Sequence, residues 1–225
     1  MQSTKSQILD HLKRSGGSTV DWLANTLGLA RMTVRQHLAA LERDGLVLSR
    51  EERRRTGRPH LVFTLSDRGQ EMFPKRYDRL ADLALQEVAF LDADEIAGLG
   101  PQEKKRLLLS KMAERVYLQH ARRVEGKTLP DRVAAVAQIL DEEGGFAEWR
   151  NDGPDFEIVD YNCVYRRVAD SHDDICAWHM ELLARLLGSE VGCSQFQSQG
   201  AESCRFVVRL EPLHALGPVD KRKEG

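Results

Sequence analysis

Apolar residues recur at helical spacing through the first part of the chain. Ile8, Leu9 and Leu12 share one face of residues 5–14, which predicts a helix, and Gly16-Gly17 stop the pattern. Ser18 or Thr19 caps the next segment, where Val20, Leu23, Ala24 and Leu27 form a second apolar stripe before Gly28. A third stripe turns Met32, Val34, Leu38 and Leu41 inward and closes at Gly45. Two such helices joined by a tight turn make a helix-turn-helix. The period then changes from helical to alternating. Residues 46–52 and 61–66 read as strands around a basic turn holding Gly57 and Pro59, so a β-hairpin follows directly and gives the winged arrangement. Ser66 or Asp67 caps a further helix.

The helical period returns over 68–91, with Tyr77, Leu80, Leu83, Ala84 and Val88 on one face and Pro74 in its first turn or at its start. Two more helices are predicted over 101–124, with Pro101 suited to the first turn, and over 130–143. Beyond Gly144-Gly145 the pattern is mixed: strands over 146–150 and 156–166, an amphipathic helix over 176–188 and a last strand over 204–210. The expected fold class is therefore α+β. A winged helix-turn-helix occupies residues 1–70, a helical linker and dimerisation region 71–128, and an α+β domain 129–225 whose end frays after Pro218.

Charge divides the chain in the same way. Residues 1–79 hold 15 Lys/Arg against 9 Asp/Glu, and residues 80–225 hold 18 against 26, so a net charge of -2 conceals a basic half and an acidic half. A small basic domain suits phosphate neutralisation. In a helix-turn-helix the second helix enters the major groove, and its exposed N-terminal side chains meet base edges. Here those are Arg31, Thr33, Arg35, Gln36 and His37, with Met32, Val34 and Leu38 holding the helix to its own core. The hairpin tip offers Arg53, Arg54, Arg55, Arg58 and His60 to phosphates or to the minor groove. Pattern, order and charge coincide, and they imply a partner of double-stranded DNA.

All four cysteines, Cys163, Cys176, Cys193 and Cys204, lie near the C-terminus. No leader-like apolar region opens the chain and no apolar stretch is long enough to span a bilayer, so a cytoplasmic protein without a membrane partner is expected. In a reducing compartment clustered cysteines point to metal or redox chemistry, or to buried small apolar residues. Their intervals of 12, 16 and 10 residues lack the knuckles of zinc ribbons and ferredoxins, so spacing alone assigns no metal.

The chain resembles the SufR-type iron-sulphur transcription regulators, a group related to DeoR-like and ArsR-like winged helices. The resemblance is carried by TVRQHLAALERDGLV with GRPHLVFTLSDRG, by FPKRYDRLA, and by YNCVYRRVADSHDDICAWHMELLARLLG followed by ESCRFVV. It implies a homodimeric repressor on a palindromic operator, controlling promoters such as those of cluster-assembly genes. It also implies an iron-sulphur cluster, [4Fe-4S] or [2Fe-2S], with Cys163, Cys176 and Cys204 at the family's ligand positions. Cys193 falls three residues later in its loop than the family pattern places it, so the fourth ligand is Cys193 or one of His172, His179 and His214.

Two other readings follow from the residues alone. One is a winged-helix regulator with a small-molecule pocket or a zinc site in the C-terminal domain. The other is an enzyme with a DNA-targeting module. No nucleophile elbow, P-loop, dinucleotide fingerprint or HExxH is present, and Asp173-Asp174 and Glu142-Glu143 read as solvated surface, so the chain is not expected to be an enzyme.

Overall fold

The computed structural model describes residues 3–52, 60–153 and 155–212. Helix α1 (Thr4–Ser15) starts where Ser3 accepts a hydrogen bond from the Ser6 amide, and it buries Ile8, Leu9 and Leu12. Helix α2 (Val20–Leu27) is capped in the same way by Thr19, which accepts from the Trp22 amide, and it ends at left-handed Gly28. Helix α3 (Arg31–Arg43) lays Val34, Leu38 and Leu41 against both. Strands β1 (Val47–Glu52) and β2 (His60–Leu65) pair antiparallel, and Ser18 adds a bridge to Phe63 through two 2.9 Å backbone bonds. The short helix α4 (Asp67–Gln70) follows; at Gly69 an added Cβ would lie 2.1 Å from the Leu46 carbonyl oxygen, so only glycine lets the wing close onto the helices.

The single helix expected over 68–91 is broken in two. Pro74 cannot donate to a continuing ladder and disfavours helix in the residue before it, so the chain runs without regular structure to α5 (Tyr77–Ala89). After the one-turn α6 (Ala93–Ile96) come α7 (Pro101–Val124), with Pro101 in its first turn, and α8 (Leu129–Glu142). On α5 the apolar face extends only to Leu83 and Ala84; Val88 is left exposed.

Strands β3 (Ala147–Asp152) and β4 (Asp155–Asp160) are followed by α9 (Arg166–Ala169), α10 (Asp174–Leu187), β5 (Ser189–Gln195), a 3-10 turn over Gln197–Gln199 and β6 (Cys204–Pro212). The strands form one antiparallel sheet in the order β3-β4-β6-β5. Registers Phe156↔Val208, Ile158↔Phe206 and Asp160↔Cys204 put those six residues on one face by the two-residue pleat. The apolar members of that face pack with α5, α7, α8 and α10 into one core, separate from the core of the winged helix-turn-helix. The strand expected over 156–166 stops at Asp160. Its carboxylate accepts the Asn162 amide at 2.9 Å, a side-chain turn that competes with the ladder and releases residues 161–165 into a loop.

The two cores meet along α1. Phe73 and Phe146 cross edge to face at 5.4 Å, and the Arg14 guanidinium lies over Phe146 and pairs with Glu148 at 2.7 Å. Among the described residues no helix is long and apolar enough to cross a membrane.

Candidate nucleic-acid interface and cysteine site

Burial of Val34, Leu38 and Leu41 fixes which face of α3 turns outward. Arg31, Arg35 and Gln36 are exposed, and Thr33 and His37 are half-buried at its margins. Met32 does not hold the core: it is 64% exposed. Two residues correspond to about 200° of helical rotation, so the side chain preceding Val34 by two points away from the face that buries it. Met32 therefore joins the outward set as an apolar group of the kind that meets thymine methyls. Arg31 sits 3.1 Å from Asp21 in a pair exposed on both sides, a contact too weak to withhold the guanidinium from a phosphate. On the hairpin, Arg50 points outward beside Glu52 at 2.8 Å, and His60 opens β2 opposite Glu52. Arg53, Arg54, Arg55 and Arg58 lie outside the described residues.

The cysteines come from four elements. Cys163 is in the loop after β4, Cys176 in the first turn of α10, Cys193 in β5 and Cys204 at the start of β6. Cys193 is in a strand rather than a loop. Gly192 and its polar neighbours carry no strand signal, but Cys193 pairs with Phe206 just before a register shift. That pairing puts Cys193 on the same face as Phe206, and therefore as Cys204. Cys204 is buried, while the other three are half-buried and pack against the same core.

All four are free thiols. Burial pushes the Cys163 thiol up to about 12 and the Cys193 thiol up to about 11, and raises Cys204 further. Neighbouring sulfurs add to this: Cys176 raises Cys163 and Cys193, and Cys163 and Cys193 raise Cys204. Cys163, Cys193 and Cys204 are thus neutral thiols without a cation to hold them. The Gln197 amide donates to Cys204 Sγ at 3.4 Å, Ser198 Oγ lies 3.3 Å from Cys176 Sγ, and the Gln197 side chain accepts the Cys163 amide at 2.9 Å. Gln197 also donates to the Tyr161 and Glu202 carbonyls. This buried glutamine, which ties together the loops carrying two cysteines, gave no signal in the polar run that contains it.

The histidines are placed differently. His172 is exposed in the turn before α10. His179 projects among α7, α8 and α10 beside Glu143, and burial holds it neutral by lowering its pKa to about 4. His214 lies outside the described residues. The space around His179 has a volume of about 10 Å³, room for one water but not for an organic effector. A wider cleft of about 560 Å³ opens between the winged helix-turn-helix and the C-terminal half, lined by Lys13, Arg50, Lys75, Arg166 and Gln197 among others. Of the acidic pairs, Glu142 and Asp173 are exposed as expected; Glu142 binds Arg123, Asp174 binds Lys105, and Glu143, which is half-buried rather than solvated, pairs with Arg79.

Among the described residues no three His, Cys, Asp or Glu side chains are grouped closely enough to hold one metal ion. Thiolates on a single zinc stand about 3.8 Å apart, from the 2.3 Å tetrahedral bond.

Residues 1–47 match the winged helix-turn-helix DNA-binding family, a span that takes in α1 to α3 and reaches β1. No curated protein matches the chain. With the hairpin that follows the matched helices and the outward basic face of α3, the chain is a transcription regulator whose N-terminal winged helix-turn-helix binds DNA.

Proposed function

We propose that the protein is a homodimeric repressor that reads a palindromic operator and senses iron-sulphur or redox status. Cys163, Cys176, Cys193 and Cys204 would hold the cluster, of the [4Fe-4S] type. The observation that carries the reading is the set of four free thiols, drawn from four separate elements against one core, with Cys163, Cys176 and Cys204 gathered around Gln197 and Ser198. When bound, the cluster supplies a redox- and oxygen-labile centre whose loss is the signal. The chain's part is to present thiolates, to shield them with the core beneath, and to aim the Gln197 amide at Cys204 Sγ. Because ligand binding requires deprotonated thiols, its free energy is also folding energy for the loops that carry them.

The test is operator affinity of anaerobically reconstituted and of cluster-free protein, on a duplex selected by the protein from random-sequence DNA. Coupling between two sites is typically worth roughly 5- to 150-fold, and a difference in that range is expected. Equal affinities, with the cluster confirmed by absorption and Mössbauer spectra, remove the sensing claim.

The dimer reading rests on α5 and α7. Leu85, Phe90 and Leu118 are each more than 60% exposed, and Val88 lies beside them. The Arg115 guanidinium pairs with Glu87 and lies 5.7 Å from the Phe90 ring, so the two helices share this outer surface. An apolar patch on helices between a DNA reader and a second domain suits a two-fold contact that spaces two reading helices about one turn of DNA apart. Leu118→Asp is expected to lower the sedimenting mass from twice 25.5 kDa to 25.5 kDa without unfolding the chain, because the side chain is exposed. A wild-type protein that sediments at 25.5 kDa at micromolar concentration would exclude the dimer.

A further inference from the structure

Asn162 is fully buried between the cysteine loop and the segment that leaves the DNA reader. Its amide nitrogen donates to the Pro74 carbonyl at 2.9 Å and to the Gly144 carbonyl at 2.7 Å, and its side-chain oxygen accepts from Lys75 Nζ at 2.9 Å. Its backbone amide is held by the Asp160 carboxylate at 2.9 Å and by the Gly145 carbonyl at 2.8 Å. The next residues continue the seam: Lys75 Nζ reaches the Cys163 carbonyl at 3.4 Å, and the Arg76 amide donates to the Val164 carbonyl at 3.0 Å. The approach is close enough that a Cβ on Gly144, whose φ is +99°, would meet Pro74 Cβ at 2.6 Å.

The other side of this segment is anchored in the reader. Lys13 of α1 is 5% exposed, donates to Gln70 at the end of α4, and lies 5.1 Å from the Phe73 ring. Helix α1 packs in turn on α3, the helix that presents Arg35 and Gln36. Residues 70–76 are therefore gripped from both sides, by α1 through Lys13 and Phe73 and by the cysteine loop through Asn162.

We propose that Asn162 is the positioning residue that transmits the state of the cysteine loop to the DNA reader, by locking the 74–76 segment to the backbone next to Cys163. This rests on the sensing reading above, although the lock itself is a property of the polypeptide. A shift of Cys163 moves Asn162, and three of the hydrogen bonds made by its side chain and by Lys75 cross to the segment that carries α4 and the wing. Asn162 itself is closed to water, so its amide group is left without partners if the loop and the segment separate, and they move together or those bonds break.

The test compares the full-length protein with Asn162→Ala and, as a variant that leaves the cysteine domain's interior untouched, Lys75→Met. Each is measured with and without the reconstituted cluster on the selected duplex, and iron and sulphide are counted in every sample. In both variants the expected result is wild-type cluster content and cluster-free DNA affinity within about threefold of wild type, with the holo-to-apo affinity ratio collapsed to within about twofold. A variant that keeps the wild-type ratio overturns the proposal. If wild type itself shows no ratio, the sensing reading has failed, and hydrogen exchange on cluster-free protein decides the lock. The Arg76 amide and the amides of α1 should then exchange at least about tenfold faster in Asn162→Ala, while those of α10 stay unchanged. Unchanged exchange at Arg76 and α1 overturns the lock.

Discussion

Alanine at Arg35 is expected to weaken the operator complex by about 5- to 150-fold, the equivalent of the roughly 1–3 kcal/mol that one bidentate base contact contributes. Gln36→Ala should cost a similar factor at a different base. Both side chains are exposed on α3, one and two residues beyond the buried Val34, so removing them leaves the core of α1 to α3 as it was. The thermal midpoint should stay within the small range of ordinary surface substitutions. The discriminating measurement is anisotropy on the selected duplex and on its single-base variants. Arg35→Ala should lose its preference at one guanine, and Gln36→Ala at one adenine, whereas Arg50→Ala on the wing should weaken all duplexes alike and reduce the salt slope. If Arg35→Ala lowered affinity equally on every variant duplex, Arg35 would be a phosphate contact, and α3 would not be read through that residue.

The reader was legible in the sequence because its information is local. Thr19 as a cap, Gly28 as a stop and the repeat of Val34, Leu38 and Leu41 each act within a few residues. Met32 escaped because a stripe counted along the chain does not record the angle around the helix. The break at Pro74 was partly visible, since proline either starts a helix or ends one; the bond its carbonyl accepts from Asn162, a residue far along the chain, was not. At the cysteine site the residue types were legible but their partners were not. Gly192 and Ser194 have low strand propensity, and the pairing of Cys193 with Phe206 overrides it. Gln197, Asn162, Lys13 and Asp160 became important only when the sheet and α1 came together.

That junction sets buried charged groups beside the Phe73–Phe146 contact, and their titration shows the consequence. Burial, with the nearby Lys75 cation adding to it, lowers the Lys13 pKa to about 7, and burial raises Asp160 to about 7, although each cation in the seam favours the ionised carboxylate. Groups held so far from their ordinary values are stable only while their surroundings stay fixed. A seam of this kind suits two arrangements of the reader and the C-terminal half better than a gradual slide, because sliding would strand buried donors one at a time.

Serine at Cys204 is expected to abolish cluster assembly, reducing reconstituted iron from about four per chain to a small fraction of that, with loss of the charge-transfer absorption. Cys204 is the most buried of the four, on the inner face of β6 opposite Asp160 and two residues before Phe206, and its sulfur already receives the Gln197 amide. A hydroxyl is a harder and far more weakly acidic ligand than a thiol, and a site that already pushes the thiol well above its ordinary pKa will not ionise an alcohol. The fold should survive: the change removes one sulfur from a position that keeps its amide donor, at a cost on the order of 1 kcal/mol, visible as a small shift in the apo thermal midpoint. Cys163→Ser and Cys176→Ser should behave alike. Cys193→Ser is the informative member, because β5 puts its sulfur on the same face as Cys204 while leaving it half-exposed at a strand irregularity. Loss of iron in that variant assigns it as the fourth ligand. Retention of the full spectrum would move the fourth position to another donor, of which His172 is exposed nearby in sequence while His179 is turned toward Glu143. A Cys204→Ser protein that still takes up full iron and sulphide would end the case for cysteine ligation at this corner of the core.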